Sequence, residues 1–384
     1  MLHHGLNRFI KPLVSLRLAI VCLALAMILV FVGTLGQVDL GTYDAQKKYF
    51  QSWFLYWTPG GSGFHIPVFP GGFLIGTVLL ANLIATHLER FKFAWKKSGI
   101  LLTHFGLILL LLGGLFTALF AKESHMRLEE GIGRNYSESS TDYELAIVDV
   151  SAPDHDAVIA IPGSILEKKS HVESQGLPFA VQVVKLFPNA RLAKRDDKTP
   201  PSPATQGVGT RIAVSEAPET HKMDERNLPA ALVELTAAGK SLGTWLVSVA
   251  LGAEQKFSAG GRDYTIQLRD TRYYKPYRVE LQKFTHEKYA GTDVPKNFAS
   301  NIRLTDRERG ENRDVLIYMN NPLRYRGETY YQGGFDPNNP RVSILQVVRN
   351  PSWLMPYVSC SLMGLGLIVQ FLMHLFSFSK RRLA

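Results

Sequence analysis

No CxxC, CxxCH, GxxxxGK[ST] or GxSxG pattern occurs in this chain, and only two cysteines are present, Cys22 and Cys360. The first two absences exclude a thioredoxin-like redox pair and a c-type cytochrome. The others exclude a P-loop NTPase and a nucleophile-elbow hydrolase. The stretch 122–350 has no cysteine at all, so no disulfide staples it. Charge is missing in four places: 18–38, 49–88, 98–121 and 350–379. Each gap is long enough for the ~20 apolar residues that cross a ~30 Å hydrocarbon layer. The pattern is that of a polytopic α-helical protein of the lipid bilayer.

Crossings are expected over about 16–36, 70–87 and 99–121, with a fourth inside 351–384. The first half of the second gap, "YFQSWFLYWTPGGSGFHIPVF", is aromatic and rich in Gly and Pro. That composition suits a segment at headgroup level. The first run has a longer apolar core than a signal peptide and no small-x-small site after it, so it reads as a retained anchor. Cys22 and Cys360 fall at opposite membrane depths, which keeps them from pairing.

A net charge of +10 suggests nucleic acid until its distribution is read. Clusters at Arg8–Arg17, Glu89–Lys97 and Lys380–Arg382 each carry +3, leaving +1 for the remainder, 122–350 included. This is a positive-inside signature and excludes a phosphate-binding surface. Both termini and the 89–97 connection are expected in the cytoplasm, and 37–69 and 122–350 on the opposite, periplasmic or extracytoplasmic side of a bacterial inner membrane.

The 122–350 segment reads as mainly antiparallel β. Alternating runs such as "YELAIVDV", "PFAVQVVKLF", "RDYTIQLRDTRYY" and "VSILQVVR" are separated by Gly, Pro, Asn and Asp, the pattern of a sandwich or barrel. Residues 193–228 break it. Their proline and charge content predicts a flexible excursion that buries little.

Three stretches carry a family resemblance. "SGILLTHFGLILLLLGGLFT" (98–117), "NPLRYRGETYYQGGF" (321–335) and "VVRNPSWLMPYVSCSLMGLGLIVQFLMHL" (347–375) resemble the ResB/CcsB family of system II cytochrome c biogenesis proteins. The "VFPGGFLIG" entry to the second crossing and the 193–228 excursion depart from the family pattern. The resemblance implies three crossings, a β-rich external domain and a fourth crossing. It also implies a CcsA/ResC-type membrane partner bearing the WWD segment that this chain lacks. Together the two would move haem across the membrane and promote its attachment to a CxxCH apocytochrome c. The chain would then be a subunit of a haem lyase complex rather than an enzyme alone, and its cofactor a transient b-type haem. A second reading makes it a scaffold that stabilises the partner and docks apocytochrome c, with no haem ligand of its own.

Five histidines are the candidate cofactor residues. His104 lies roughly 7 Å inside the third crossing and His374 roughly 9 Å from the cytoplasmic end of the fourth, by the helical rise. His87 sits near the cytoplasmic end of the second, so antiparallel crossings bring three imidazoles to one depth. A neutral imidazole is a good axial donor to haem iron, and the resemblance carries that role to His104 alone. The bland reading is a ring that snorkels to the interface or bonds a neighbouring carbonyl. It weighs most for shallow His87. His374 shares a stripe with Gln370 and Gly366, which reads first as an interhelical contact. His65 and His125 flank the external ends of the second and third crossings as a candidate receiving pair. Gly106, Gly113, Gly114, Gly364 and Gly366 thin their helices for close packing or for a flat ring. The runs "RYYKPYR" (272–278) and "YRGETYYQGGF" (325–335) are read either as partner contacts or as strand faces.

Overall fold

The structure is a computed structural model describing residues 12–57, 59, 64–90, 95–169, 171–173, 176–195, 202–220, 226–288, 291 and 295–382. Arg8, Lys11 and Lys92 of the basic clusters lie outside these residues, as do 196–201 and 221–225 of the excursion. The chain divides into a helical unit, built from the residues up to Lys122 and from Asn350 onward, and a β unit, Glu123–Thr220 with Glu225–Arg349.

Among the described residues, four helices are long and apolar enough to cross a membrane. They are α1 (Leu16–Ala45), α2 (Gly72–Arg90), α3 (Ser98–Phe120) and α4 (Met355–Arg382). Where no water reaches the backbone, only the helix satisfies its N–H and C=O groups within one segment, so long uncharged runs fold this way. α1 continues past the expected end near 36. Gly41 breaks it with φ 72° and ψ 168°, a conformation open to glycine and costly for other residues. A π-helical turn, Gln46–Phe50, follows, and the chain packs back on α1. A Cβ on Gly33 would lie 2.8 Å from the Phe50 ring, and one on Gly36 would lie 2.7 Å from the Tyr49 ring. The expected headgroup-level segment contains the hairpin β1 (Phe54–Trp57) and β2 (Ile66–Pro70). Cys22 is buried, Cys360 exposed, and both are free thiols.

α3 and α4 are joined through a row of glycines. Gly99, Gly106 and Gly113, seven residues apart, are the buried residues of α3. Their missing side chains admit Gln370, Met363 and Met355 respectively, and a Cβ would come within 2.8 Å of each. Gly366 answers from α4, where a Cβ would lie 2.5 Å from Thr103 Oγ1. At the other end Asn350 Nδ2 donates to Thr117 Oγ1 at 3.2 Å. Gly114 and Gly364 have open space around them, so close packing explains Gly106, Gly113 and Gly366 but not these two.

The β unit begins with β3 (Lys122–Glu129), β4 (Gly133–Asp149), β5 (Ala157–Pro162), β6 (His171–Val172), β7 (Ala180–Phe187) and β8 (Ala190–Lys194). It continues with β9 (Ile212–Glu216), β10 (Ala230–Ala237), β11 (Lys240–Ser248), β12 (Gln255–Ala259) and β13 (Arg262–Lys288). β14 (Pro295–Asp306), β15 (Glu311–Tyr318), β16 (Leu323–Tyr325), β17 (Glu328–Asp336) and β18 (Asn339–Arg349) complete it. The main sheet runs β15-β14-β13-β4-β3-β18-β17-β16, with β12 on β13 and β5 on β4. A second sheet runs β11-β10-β7-β6. The two face each other across one core in which Leu145, Ile266 and Tyr264 meet Val181, Val233 and Trp245. β13 then continues into a different environment. Past Pro276, at an irregularity in its pairing with β4, it shares a second core with β3, β14, β17 and β18. There the main sheet curls, so that Ser300 of β14 reaches Ser343 of β18 at 2.7 Å. The expected sandwich and barrel-like curvature both occur, in successive halves of one sheet.

The excursion needs correction. β9 pairs along its length with β8. Thr205 N donates to Thr244 O at 2.9 Å, and Val208 N to Gln255 Oε1 at 3.0 Å. Ala204 is buried in a third core with Phe187, Leu232 and Leu246, against which Ile212 and Val214 pack. Average composition of 193–228 hid a short apolar segment, "RIAVS", that has a partner strand to join. Replacing 202–216 with Gly/Ser of equal length is therefore expected to destabilise the β unit by on the order of 3 kcal/mol. Urea unfolding followed by circular dichroism checks this, and an unchanged midpoint would restore the linker reading.

Candidate histidine site

α2 and α3 lie side by side where His87, in the last turns of one, meets His104, in the second turn of the other. The rings meet edge to face, with centroids 4.9 Å apart and planes at 87°. His104 Nδ1 lies 3.1 Å from His87 Nε2, and His87 Nδ1 lies 2.8 Å from Leu83 O. These two contacts determine the tautomers. A carbonyl oxygen only accepts, so His87 Nδ1 carries its proton and donates. Neutral His87 must then accept at Nε2, and His104 Nδ1 must be the donor. His104 Nε2 is left with a lone pair and, among the described residues, no hydrogen bond. The ring is half-buried, as is that of His87. An imidazole whose Nδ1–H is already committed and whose Nε2 is bare is in the state required to ligate a metal.

His374 is not brought to this pair. Gln370 Nε2 lies 2.8 Å from His374 Nε2 along one face of α4. An amide nitrogen only donates, so the Nε2 lone pair of His374 is occupied. The Gln370 side chain itself packs against Gly99 of α3, so this polar stripe serves the helix contact. His65 belongs to the helical unit, where its exposed ring lies 6.2 Å from Tyr56. His125 belongs to the β unit, opposite Glu138 in the β3–β4 register, with Nδ1 3.4 Å from Ser140 Oγ. Burial pushes its pKa below the ordinary histidine value, against the opposing pull of Glu138 and Asp270. His286, which the sequence reading passed over, lies between Phe298 and Phe335 at 4.7 and 4.5 Å between ring centroids. Its Nε2 is buried without a hydrogen bond among the described residues.

A cavity of about 450 Å³ opens beside the histidine pair's helices, lined by Gln46, Phe50, Gly76, Leu110, Gly114 and Leu115 among others. It falls in the range of roughly 300–1,000 Å³ usual for small-molecule sites. Leu110 is six residues beyond His104, roughly 9 Å along α3. Among the described residues no group of three or more His, Cys, Asp or Glu could hold a bare metal ion. Haem iron asks less of a protein, one or two axial donors.

The motif "RYRGETYY" proves structural in most of its residues. Arg326 and Gly327 form the two-residue turn between β16 and β17, with φ of 45° and 80°, as a primed hairpin turn requires. Arginine is uncommon there, and Arg326 is held by Asp306 at 3.0 Å and Glu308 at 2.9 Å. Tyr325 donates to Asp306 at 2.7 Å. Tyr277 donates to Glu328 at 2.7 Å and contacts Tyr330 at 2.6 Å, and Lys275 also pairs with Glu328. Tyr277, Tyr325 and Tyr330 are buried, which favours the strand-face reading for these residues. Burial alone raises the pKa of Asp306, yet the Tyr325 hydroxyl, the Arg309 amide and Arg326 together hold it below the ordinary carboxylate value. A folded pKa below the unfolded one contributes stability above about pH 4, lost as the pH falls through the folded value. The melting temperature of the β unit should accordingly fall on acidification below about pH 4. Asp306→Asn should show a shallower acid limb, and an identical limb would remove Asp306 from the account.

Comparison with known proteins reaches the β unit. Residues 235–344 match the model of the ResB-like family, a segment from the end of β10 into β18 that includes the hairpin motif. Over 93 residues the chain is 28% identical to Protein NrfI of Wolinella succinogenes, an alignment covering 24% of this chain and 10% of that protein. The chain thus matches about a tenth of the length of this curated relative.

Proposed function

On the premise that this chain is ResB-like through residues 235–344, we propose that it serves cytochrome c biogenesis as a haem-handling membrane subunit. The four apolar helices would cross a bacterial cytoplasmic membrane, with the termini and the α2–α3 connection inside and the β unit outside. Haem is the cargo. His104 Nε2 would hold its iron near the cytoplasmic face, and the basic sequence of 90–97 has the charge that haem propionates would want. The apolar cavity beside α2 and α3 offers space further along the same helices for a ring moving outward. A WWD-bearing partner subunit and a CxxCH apocytochrome c would complete the assembly. The observation that carries this reading is the bare Nε2 of His104, set by the hydrogen bond to His87 within a helix that has no formal charge.

The scaffold reading draws on one observation: the family match falls wholly in the β unit and includes none of the helical histidines. In that case the chain would stabilise the WWD-bearing partner and its β unit would dock apocytochrome c, with no haem ligand of its own. Deleting the gene tests the shared part of both readings. Covalent c-type haem should vanish while b-type haem proteins persist, and normal c-type cytochromes would reject both. Reporter fusions at Trp95 and after Ala384 should behave as cytoplasmic, and one at Gly239 as external. A cytoplasmic Gly239 would overturn the topology.

A further inference from the structure

We propose that His87 is the positioning residue for His104: by accepting the proton of Nδ1 it fixes the tautomer and ring plane that present Nε2 to haem iron. This rests on the reading of His104 as a haem ligand and adds a role that no depth argument assigns. The sequence makes His87 a shallow ring with an interfacial explanation of its own. The structure instead commits both its nitrogens. Nδ1 donates to Leu83 O at 2.8 Å, one helical turn back, which locks the ring against α2. In the neutral ring Nε2 is then the acceptor, and it lies 3.1 Å from His104 Nδ1.

Three consequences follow from this chain of two bonds. An isolated neutral histidine divides its proton between the two nitrogens, and only the Nδ1–H form can bind iron through Nε2. The acceptor at Nδ1 removes the unproductive tautomer before haem arrives. It also restrains rotation about the side-chain torsions, because turning the ring away breaks the bond between His104 Nδ1 and His87 Nε2. Finally, a donated Nδ1–H makes the imidazole a more basic ligand, which favours ferric over ferrous iron. Partners of this kind are typically worth about 10- to 100-fold in affinity.

The test uses the full chain purified with its partner subunit and titrated with haemin. His87→Phe keeps a ring in the space but offers no acceptor. His87→Gln loses the ring and restores a carbonyl oxygen that can accept. His87→Phe should weaken haemin binding by about 10- to 100-fold and move the haem midpoint potential to more positive values. His87→Gln should recover most of both. A pair that only holds α2 against α3 predicts an unshifted potential, and wild-type affinity and potential in His87→Phe would overturn the proposal. So would a His87→Gln variant as weak as His87→Phe. Nitrogen-15 spectra of histidine-labelled wild-type protein, before haemin is added, decide the matter even if neither variant accumulates. His104 should be protonated at Nδ1, and protonation at Nε2 would sink the idea. His104→Gly run in parallel separates the two levels. If it retains haemin, the ligand reading itself fails. If it loses haemin while His87→Phe does not, only the positioning role fails.

Discussion

Replacing His104 with glycine is expected to strip haem from the purified complex and to abolish holocytochrome formation, with the β unit still folded. The fall in haem occupancy should be at least about tenfold, the scale on which loss of an oriented ligand acts. Glycine is the informative choice because it removes the ring and leaves a space of imidazole shape. Added imidazole should enter that space and restore part of the haem absorbance and part of the activity. The rescue is expected to be incomplete, because a free imidazole lacks the tether and the His87 bond that orient the native ring. Visible absorbance of the complex at equal protein level is the measurement. Full absorbance and activity in His104→Gly would transfer the weight to the scaffold reading, with His104 a packing residue bonded to His87.

Gly106→Leu is expected to prevent α3 and α4 from packing. The first added carbon would already lie 2.7 Å from Met363 Cγ and 2.8 Å from the Ser359 carbonyl oxygen. Methionine can move, but the backbone oxygen of α4 cannot without displacing the helix. Overpacking at such a point costs about 1–3 kcal/mol and sometimes more. In a unit whose α3–α4 contact depends on three glycine notches, that cost should appear as sharply reduced accumulation in the membrane and a lower melting temperature in detergent. Gly114→Ala is the matched control. Its Cβ would meet nothing within 4 Å, so the variant should accumulate within about 0.5 kcal/mol of wild-type stability. Equal behaviour of the two variants would mean that the α3–α4 contact does not run through Gly106.

The existence and number of the long helices, and the antiparallel β character of 122–350, were legible in the sequence. They follow from one-dimensional quantities: the length of uncharged runs, alternation with period two, and turn residues between them. Counting residues from a charged end put His87, His104 and His374 near the same end of their helices, and of these the structure sets His87 against His104. The segment 202–216 was misread because composition averages over Ala204, Ile212 and Val214, whereas a strand requires only a partner and a face to cover. "RYRGETYY" was recognisable as a motif, yet its role waited on Asp306, far enough back in the chain that only the curled sheet brings it to Tyr325 and Arg326.

The histidine pair marks the boundary most clearly. Sequence placed His87 and His104, with His374 beside them, near one end of neighbouring helices. Tertiary structure alone decided that they touch, that His374 is engaged elsewhere with Gln370, and which nitrogen of His104 is bare. The physical reason is rotational. Depth is set by counting residues, but contact depends on the angle of each helix about its own axis. That angle is settled by packing, including the α3–α4 glycine row. A proton's position on an imidazole then follows from neighbours within about 3 Å, a scale on which only the folded chain has information.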